Sequence, residues 1–235
     1  MRNEDRFLEI FYALYEKYKN NKFTIDKTGV KTLALIDFKL RSLNPLQPFL
    51  KFNGRETPKS YTEKESKWYN SCSLNIKNYV DDVKIWKQVC DKDGFINSNY
   101  GWCIYSKENY KQYNHVLNDL LNNKESRRAV MIYTRPSMWL EYNLDGMSDF
   151  MCTWGTHVLI NENDEMIYIV NQRSADIITG AMNDFVWHCE VYMKLFKDLK
   201  QKYNNLKIGY ITFNFGSVHI YERHFNMLKK IVGAE

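Results

Sequence analysis

A cysteine, an arginine and an aspartate suited to nucleotide chemistry lie in the stretch from Met151 to Asp184. The thiolate of Cys152 could act as a nucleophile that adds to an electron-poor carbon and later leaves. Arg173 carries a planar fork of donors that can clamp an anion such as phosphate. The carboxylate of Asp184 can accept a hydrogen bond from an amine on the edge of a base. These side chains together favour a nucleotide site.

The composition limits the class of protein. The chain has 235 residues, enough for one sizeable core, and its 44% hydrophobic and 26% charged residues are typical of a globular protein. The net charge of +5 suits a small anionic ligand. No run of Lys and Arg is longer than two residues, so we expect no direct nucleic-acid binding. No apolar segment suggests a membrane span and no signal-peptide core is found, so we expect a cytoplasmic protein.

The cysteines do not indicate a metal site or a disulfide framework. The chain contains five of them, an odd number. No Cys-x-x-Cys motif occurs, and no histidine has the spacing of a zinc site. We therefore expect reduced thiols and no metal ion.

Hydrophobic periodicity predicts the elements that must position these residues. Helices are predicted at residues 5–19, 61–71, 81–90, 107–122 and 180–199, with a last helix after Tyr221. Strands are predicted at residues 30–38, 128–134, 149–160, 164–172 and 207–215, and an irregular loop at residues 39–60. No repeat or linker is found. The order of the elements indicates one mixed α+β domain over residues 1–235.

The spacing between Cys152 and Asp184 resembles that of the thymidylate synthase superfamily. There, a cysteine and a Gln-Arg-Ser-x-Asp-x-x-x-Gly run line one nucleotide pocket, and this chain has that run from Gln172 to Gly180. Four residues after the glycine, thymidylate synthases carry Asn and this chain carries Asp184. That exchange marks the branch that acts on cytosine. With the segments INSNYGW and IYTRPSM, it makes the chain similar to phage-type deoxycytidylate hydroxymethylases.

The resemblance implies a fold and a reaction. The fold is α+β of the thymidylate synthase type, with helices packed on a mixed β-sheet and a symmetric dimer formed through the sheet with shared active sites. The substrates are dCMP and 5,10-methylenetetrahydrofolate. Cys152 would add to C6 of dCMP, C5 would join the methylene carbon, and water would attack after tetrahydrofolate leaves, giving 5-hydroxymethyl-dCMP. Glu65, in the family's Glu-x-x-Trp pattern, would be the general base for that water.

The resemblance also assigns binding residues. For dCMP they are Arg173, Ser174 and Lys27 at the phosphate, Arg127 and Arg128 at the phosphate across the dimer, His219 and Tyr221 at the sugar 3′-hydroxyl, Asp184 at the base, and Tyr100 beside the nucleophile. For the folate they are Trp86, Asp176 and Gly180.

Several of these assignments have an ordinary structural alternative, and Trp86 could equally be a core residue. Cys152 could be a core cysteine, and Glu65 could be an exposed helix glutamate. Arg127 and Arg128 could lie on a solvated edge, and Asp184 could only begin a helix, where acidic residues are favoured.

Other functions also stay open. The sugar contacts would serve ribose as well, so a CMP hydroxymethylase is one alternative. A dUMP enzyme, either a thymidylate synthase or a hydroxymethylase, is a second, and Asp184 argues against it. A catalytically idle nucleotide-binding relative is a third. The joint presence of the four residues expected at the active site argues against that last alternative; they are Cys152, Glu65, Arg173 and Asp176.

Overall fold

The computed structural model describes residues 2–26 and 29–234. Its helices are α1 (Asn3–Lys19), α2 (Lys59–Ser71), α3 (Lys84–Val89), α4 (Tyr100–Tyr105), α5 (Gln112–Asn122), α6 (Met138–Glu141), α7 (Ala181–Lys200) and α8 (Phe225–Val232). Its strands are β1 (Thr24–Ile25), β2 (Lys31–Leu43), β3 (Lys51–Phe52), β4 (Arg55–Glu56), β5 (Val130–Ile132), β6 (Thr153–Ile160), β7 (Glu165–Gln172), β8 (Ala175–Asp176) and β9 (Lys207–Tyr221). Short 3-10 turns are Leu144–Gly146 and Glu222–His224. This mixture confirms the predicted α+β class.

The chain divides into two compact units. The first contains the chain up to Pro58 and from Ile160 onward, and the second runs from Lys59 to Leu159. In the first unit, β2 is antiparallel to β1 and β9, whereas β7 and β8 are parallel to β9. Parallel and antiparallel pairs therefore occur in one sheet, as the resemblance implied.

The core of the first unit lies between helices and this sheet. Phe7 of α1, Phe185 of α7 and Phe213 of β9 are buried in it. The ring centroids of Phe7 and Phe185 are 5.8 Å apart, and those of Phe185 and Phe213 are 6.1 Å apart. Aromatic pairs at such distances add to the free energy gained by burying their area. This packing fixes α7, whose first turn contains Asp184.

The second unit contains α2 to α6 and the antiparallel pair of β5 and β6. Asn99 begins α4, because its side-chain Oδ1 accepts a hydrogen bond from the backbone N of Trp102 at 2.7 Å. The same side chain donates to the backbone oxygens of Trp68 and Ser73 at 3.0 and 2.8 Å. One buried Asn thus joins the start of α4 to the end of α2.

Gly101 lies where α4 meets α2 at the closest range. A Cβ atom at this position would lie 1.8 Å from the backbone oxygen of Tyr69. We expect Gly101→Ala to lower the free energy of unfolding by about 2–3 kcal/mol, because the backbones would have to move apart. Urea denaturation measures this loss. Gly155→Ala is the matched control, since its Cβ would lie 3.4 Å from the backbone oxygen of Met131; equal stability of the two variants would contradict this packing.

Some predicted elements were wrong in extent. The irregular loop at 39–60 contains the end of β2 and the β3–β4 hairpin. A register shift between Leu40 and Leu43 breaks the alternation of β2, which hid the strand in the sequence. The predicted helix at 107–122 begins only at Gln112, because Tyr110 and Lys111 have positive φ. Helix α4 was missed, since six residues are too few to show helical periodicity.

Candidate active site

Cys152 lies just before β6 with a reduced, half-buried thiol. The next residue, Thr153, donates its backbone N–H to the hydroxyl of Tyr100 at 3.4 Å. The ring of Tyr100 is buried and stacks on Tyr69 with centroids 5.2 Å apart. Tyr100 therefore holds the main chain beside the nucleophile, as expected from its position in the sequence. By contrast, Cys103 is buried, and burial raises the pKa of its thiol to about 12.

A second contact fixes the segment that leads to Cys152. The buried carboxylate of Asp149 accepts hydrogen bonds from the backbone N of Asn97 at 2.8 Å and of Ser98 at 2.6 Å, and from Ser98 Oγ at 2.7 Å. Arg135 Nη2 donates to Asn97 Oδ1 at 2.7 Å. Asp149 was not among the predicted site residues, although it lies three residues before Cys152. Asn97 and Ser98 lie in the segment INSNYGW and Arg135 lies in IYTRPSM, and both segments were noted as motifs.

Glu65 is buried, with 5% of its surface exposed. The interpretation as an exposed helix glutamate is therefore wrong. Tyr61 lies one helical turn earlier on α2, and its hydroxyl donates to Glu65 Oε1 at 2.6 Å. Trp86 Nε1 donates to that hydroxyl at 3.0 Å, and the Trp86 ring packs against Trp68 with centroids 5.0 Å apart. Sequence reasoning singled out Glu65 and Trp86 but missed Tyr61, which connects them.

Arg127 and Arg128 lie exposed on the loop before β5. Arg128 Nη2 forms an ion pair with Asp119 Oδ1 at 2.9 Å, but 83% of the Arg128 side chain is exposed. Such a surface pair stabilises the protein by about 0–1 kcal/mol, so a phosphate can compete for the guanidinium. Ser126 Oγ donates to the same carboxylate and fixes the loop. Both arginines are thus presented to solvent.

Asp184 lies in the first turn of α7 and is half-buried. Gln172 Nε2, at the end of β7, donates to Asp184 Oδ2 at 2.6 Å. Burial raises the pKa of Asp184 to about 7, against the opposing effect of the Gln172 hydrogen bond. Near neutral pH the carboxyl therefore exists in part with a proton. In that form it offers one donor and one acceptor at a single edge.

The two residues expected at the phosphate, Arg173 and Ser174, directly follow β7. The residues expected at the sugar lie at the end of β9. Arg173 is exposed directly after β7. Ser174 Oγ lies 3.4 Å from Nδ1 of His219, within hydrogen-bond distance. Burial lowers the pKa of His219, and the charge of Arg173 adds to this effect, while the Asp176 carboxylate opposes both. The ring of Tyr221 packs edge-on against His219 with centroids 5.1 Å apart. His219 therefore contacts both Ser174 and Tyr221.

Asp176 is the last residue of β8, and hydrogen bonds from the turn before α7 fix its carboxylate. Its Oδ1 accepts from the backbone N of Ile178 at 2.9 Å, and its Oδ2 accepts from Thr179 Oγ1 at 2.7 Å. Arg223 Nη2 lies 3.5 Å from Oδ2. The backbone N of Gly180 donates to the backbone oxygen of Asp176 at 2.9 Å. These bonds fix the turn from Asp176 to Gly180.

The remaining expectations concern Lys27, a metal site and a membrane span. Lys27 falls outside the described residues. Within residues 2–26 and 29–234, no group of three His, Cys, Asp or Glu side chains could hold a metal ion. No helix in the same ranges is long and apolar enough to cross a membrane.

Known proteins resemble this chain along nearly all of its length. A family model described as thymidylate synthase matches residues 9–235. The deoxycytidylate 5-hydroxymethyltransferase of Enterobacteria phage T4 is 43% identical over 228 residues, which cover 96% of this chain and 88% of the phage protein. The thymidylate synthase of Brachyspira hyodysenteriae is 27% identical over 97% of this chain and 84% of its own length. The thymidylate synthase of Bacillus licheniformis is 27% identical over 91% of this chain and 75% of its own length. The chain belongs to the thymidylate synthase family.

Proposed function

We propose that this protein is a deoxycytidylate hydroxymethylase. It transfers a one-carbon unit from 5,10-methylenetetrahydrofolate to C5 of dCMP, and water completes the product, 5-hydroxymethyl-dCMP. The phage relative that is 43% identical bears the name of this activity. The observation that carries the proposal is the half-buried carboxyl of Asp184, which is bonded to Gln172 and has a pKa of about 7.

Asp184 is complementary to cytosine and not to uracil. Cytosine presents an amine donor at N4 and an acceptor at N3, whereas uracil presents an acceptor at O4 and a donor at N3. A carboxyl with one shared proton accepts from the amine and bonds N3 through that proton. Gln172 Nε2 donates to Asp184 Oδ2, which keeps that oxygen an acceptor and leaves the proton on Oδ1. With uracil, the accepting oxygen would therefore face O4, which is also an acceptor. Such a mismatch leaves buried polar groups unpaired, and sites of this kind discriminate strongly.

Cys152 and Glu65 supply the covalent and proton-transfer steps. The Cys152 thiolate adds to C6, which makes C5 nucleophilic. C5 bonds to the one-carbon unit that methylenetetrahydrofolate would supply, and C5 then loses its proton. The bond between that carbon and the folate nitrogen breaks as the exocyclic double bond forms, so tetrahydrofolate would leave before water attacks. Glu65 takes a proton from water as the water oxygen bonds to the exocyclic carbon. The electron pair moves into the ring and expels the Cys152 thiolate, so the C5–C6 double bond forms again and no group is oxidised.

The phosphate and the sugar require groups of different charge. Arg173 and Ser174 follow β7 and suit the phosphate as a cationic fork and a hydroxyl donor. His219 and Tyr221 offer a ring nitrogen and a hydroxyl to the sugar 3′-hydroxyl, and burial favours the neutral imidazole at His219. The remaining phosphate ligands in the proposal are Lys27, Arg127 and Arg128.

The residues assigned to the folate fit a pterin. Its ring presents N–H donors, and the carboxylate of Asp176 is an acceptor fixed by Ile178 and Thr179. Gly180 lies close to the Asp176 backbone, since a Cβ atom at Gly180 would lie 3.4 Å from the backbone oxygen of Asp176. Trp86 is half-buried and offers an indole ring for stacking. These three residues would hold the folate, while the protein supplies the nucleophile and the base.

The substrate class can be tested with three nucleotides. dCMP, CMP and dUMP are incubated separately with the protein and 5,10-methylenetetrahydrofolate, and the products are identified by mass. We expect a hydroxymethyl product from dCMP and at most a slow reaction with dUMP. A preference for dUMP would contradict the proposal, and a preference for CMP would move the substrate from the deoxyribonucleotide to the ribonucleotide.

We further propose that the active form is a symmetric dimer made through the sheet, with residues 1–235 acting as one domain. The exposed guanidinium of Arg127 supports a role outside its own subunit. Large apolar side chains are exposed on strands of both units, including Ile36 at 72%, Ile132 at 59% and Trp154 at 50%. Exposed apolar side chains concentrated on strands are typical of an interface.

If Arg127 acts across the dimer, two inactive variants should complement each other. In a mixture of Arg127→Ala and Cys152→Ala subunits, a hybrid dimer holds one site with both residues intact. We expect measurable turnover of dCMP after subunit exchange, although each variant alone is inactive. Exchange is verified with differently tagged subunits. Hybrid dimers that form without any recovered turnover would place Arg127 in the active site of its own subunit.

A further inference from the structure

The hydrogen bonds around Tyr61 have only one consistent direction. The indole Nε1 of Trp86 is a donor and has no acceptor role, so at 3.0 Å the Tyr61 oxygen must accept from it. The single proton of the Tyr61 hydroxyl then points to Glu65 Oε1, which is 2.6 Å away. Glu65 must accept at this oxygen. The chain therefore runs from Trp86 through Tyr61 to Glu65.

We propose that Tyr61 is a positioning residue that holds the Glu65 carboxylate ready to take a proton from water. This inference rests on the proposed function, because it requires Glu65 to be the base of the hydroxymethylation. A charged acceptor strengthens such a hydrogen bond, and the 2.6 Å separation is typical of an O–H···O⁻ contact. The hydroxyl keeps Oε1 occupied and fixes the side-chain rotamer.

The cavity that Tyr61 lines contains a second tyrosine with which its hydroxyl can be compared. Tyr61 lines a cavity of about 590 Å³ together with Lys64 and Tyr79. Lys64 is bound to Asp82 by contacts of 2.5 Å to both carboxylate oxygens, so its charge is already satisfied. Tyr61 is thus the cavity residue with a bond to Glu65, on a helix face that Glu65 shares. Without the hydroxyl, Glu65 Oε1 would lose this hydrogen bond.

Tyr61→Phe tests the inference, because it removes the hydroxyl and retains the ring. We expect kcat for dCMP hydroxymethylation to fall about tenfold, the usual effect of losing one hydrogen bond to a charged group. The KM for dCMP should change by less than about twofold, since Tyr61 is assigned no contact with the nucleotide. Tyr79→Phe is the matched control, since Tyr79 lines the same cavity and no bond from it to Glu65 is found among the described residues. It should leave both constants unchanged.

Product partition separates a positioning role from a structural one. If water attack is slow, the exocyclic methylene on the Cys152-bound nucleotide persists, and an added small thiol can capture it. The thiol sulfur bonds to the exocyclic carbon, its proton goes to solvent, and Cys152 leaves as before, giving a thioether of dCMP. In Tyr61→Phe we expect the ratio of thioether to hydroxymethyl product to rise about tenfold. This ratio is measured per turnover and does not depend on how much protein is folded.

Each result has a definite meaning. A raised partition ratio with a nearly unchanged KM in Tyr61→Phe, and parent values in Tyr79→Phe, support the inference. A parent partition ratio in Tyr61→Phe overturns it, even if kcat falls, because only the structural stability would then have changed. If the parent protein converts dUMP and not dCMP, the proposed function fails instead.

Discussion

Cys152→Ala is expected to lower the turnover of dCMP by about 10⁴-fold, which is roughly 5–6 kcal/mol of barrier. Cytosine C5 is a poor nucleophile until a group adds at C6, and an alanine methyl cannot add. The fold and nucleotide binding should be retained, because the side chain is half-buried and is small. Steady-state kinetics with purified variant and a binding titration with dCMP measure the two effects separately.

Cys90→Ala is the matched control for the nucleophile. Cys90 is also half-buried and reduced, and its thiol only donates to the backbone oxygen of Lys87 at 3.6 Å. Burial raises the pKa of Cys90, which makes its thiolate less available. We expect full turnover in this variant. Turnover of Cys152→Ala within about tenfold of the parent would contradict a covalent mechanism at this residue.

Asp184→Asn is expected to shift the base preference from dCMP toward dUMP by at least about tenfold. The amide offers uracil the donor that O4 requires, and its own oxygen accepts from uracil N3–H. In this orientation the amide NH2 would face the cytosine amine and the amide oxygen would face N3, which leaves buried polar groups unmatched at about 1–3 kcal/mol. The ratio of kcat/KM for dCMP to that for dUMP measures the shift. The product should still be hydroxymethylated, because Asp184 does not deliver the water.

The pH dependence of the parent follows from the same carboxyl. Burial raises the pKa of Asp184 to about 7, so its proton is present below that pH and is lost above it. Cytosine N3 is an acceptor and needs the proton. We therefore expect kcat/KM for dCMP to decline above about pH 7, and Asp184→Asn to lack that decline, because an amide does not titrate.

Glu190→Gln controls for a change of charge on the same helix. Glu190 is an exposed residue of α7, so its loss should alter neither the base preference nor the alkaline decline. If Asp184→Asn keeps both the parent's preference for dCMP and the decline above pH 7, then Asp184 does not read the base. The enzyme class could still hold in that case.

Spacing in the sequence predicted those parts of the site that lie on single elements. Helix α7 was predicted at residues 180–199, because apolar positions recur at helical spacing over about twenty residues. The helix extends over Ala181–Lys200 and has Asp184 in its first turn. Strand β7 was found in the same way and ends at Gln172, next to Arg173. Periodicity within one element depends only on residues that are close in the sequence, so it can be recognised without the tertiary structure.

Contacts between elements were not visible in the sequence. Tyr61 reads as one more tyrosine on a polar helix, and only folding shows that Trp86 and Glu65 both bond to it. Asp149 likewise gains its role from Asn97 and Ser98, which lie about fifty positions earlier. The pKa of Asp184 depends on burial, which spacing alone does not determine.

The central claim is that water completes a one-carbon transfer to cytosine. The most direct measurement incubates dCMP and 5,10-methylenetetrahydrofolate with the protein in water enriched in the heavy oxygen isotope, and analyses the product by mass spectrometry. We predict 5-hydroxymethyl-dCMP that carries the heavy oxygen in the new hydroxyl, and release of tetrahydrofolate. Formation of dihydrofolate with a methylated base, or conversion of dUMP while dCMP is left unchanged, would contradict the claim.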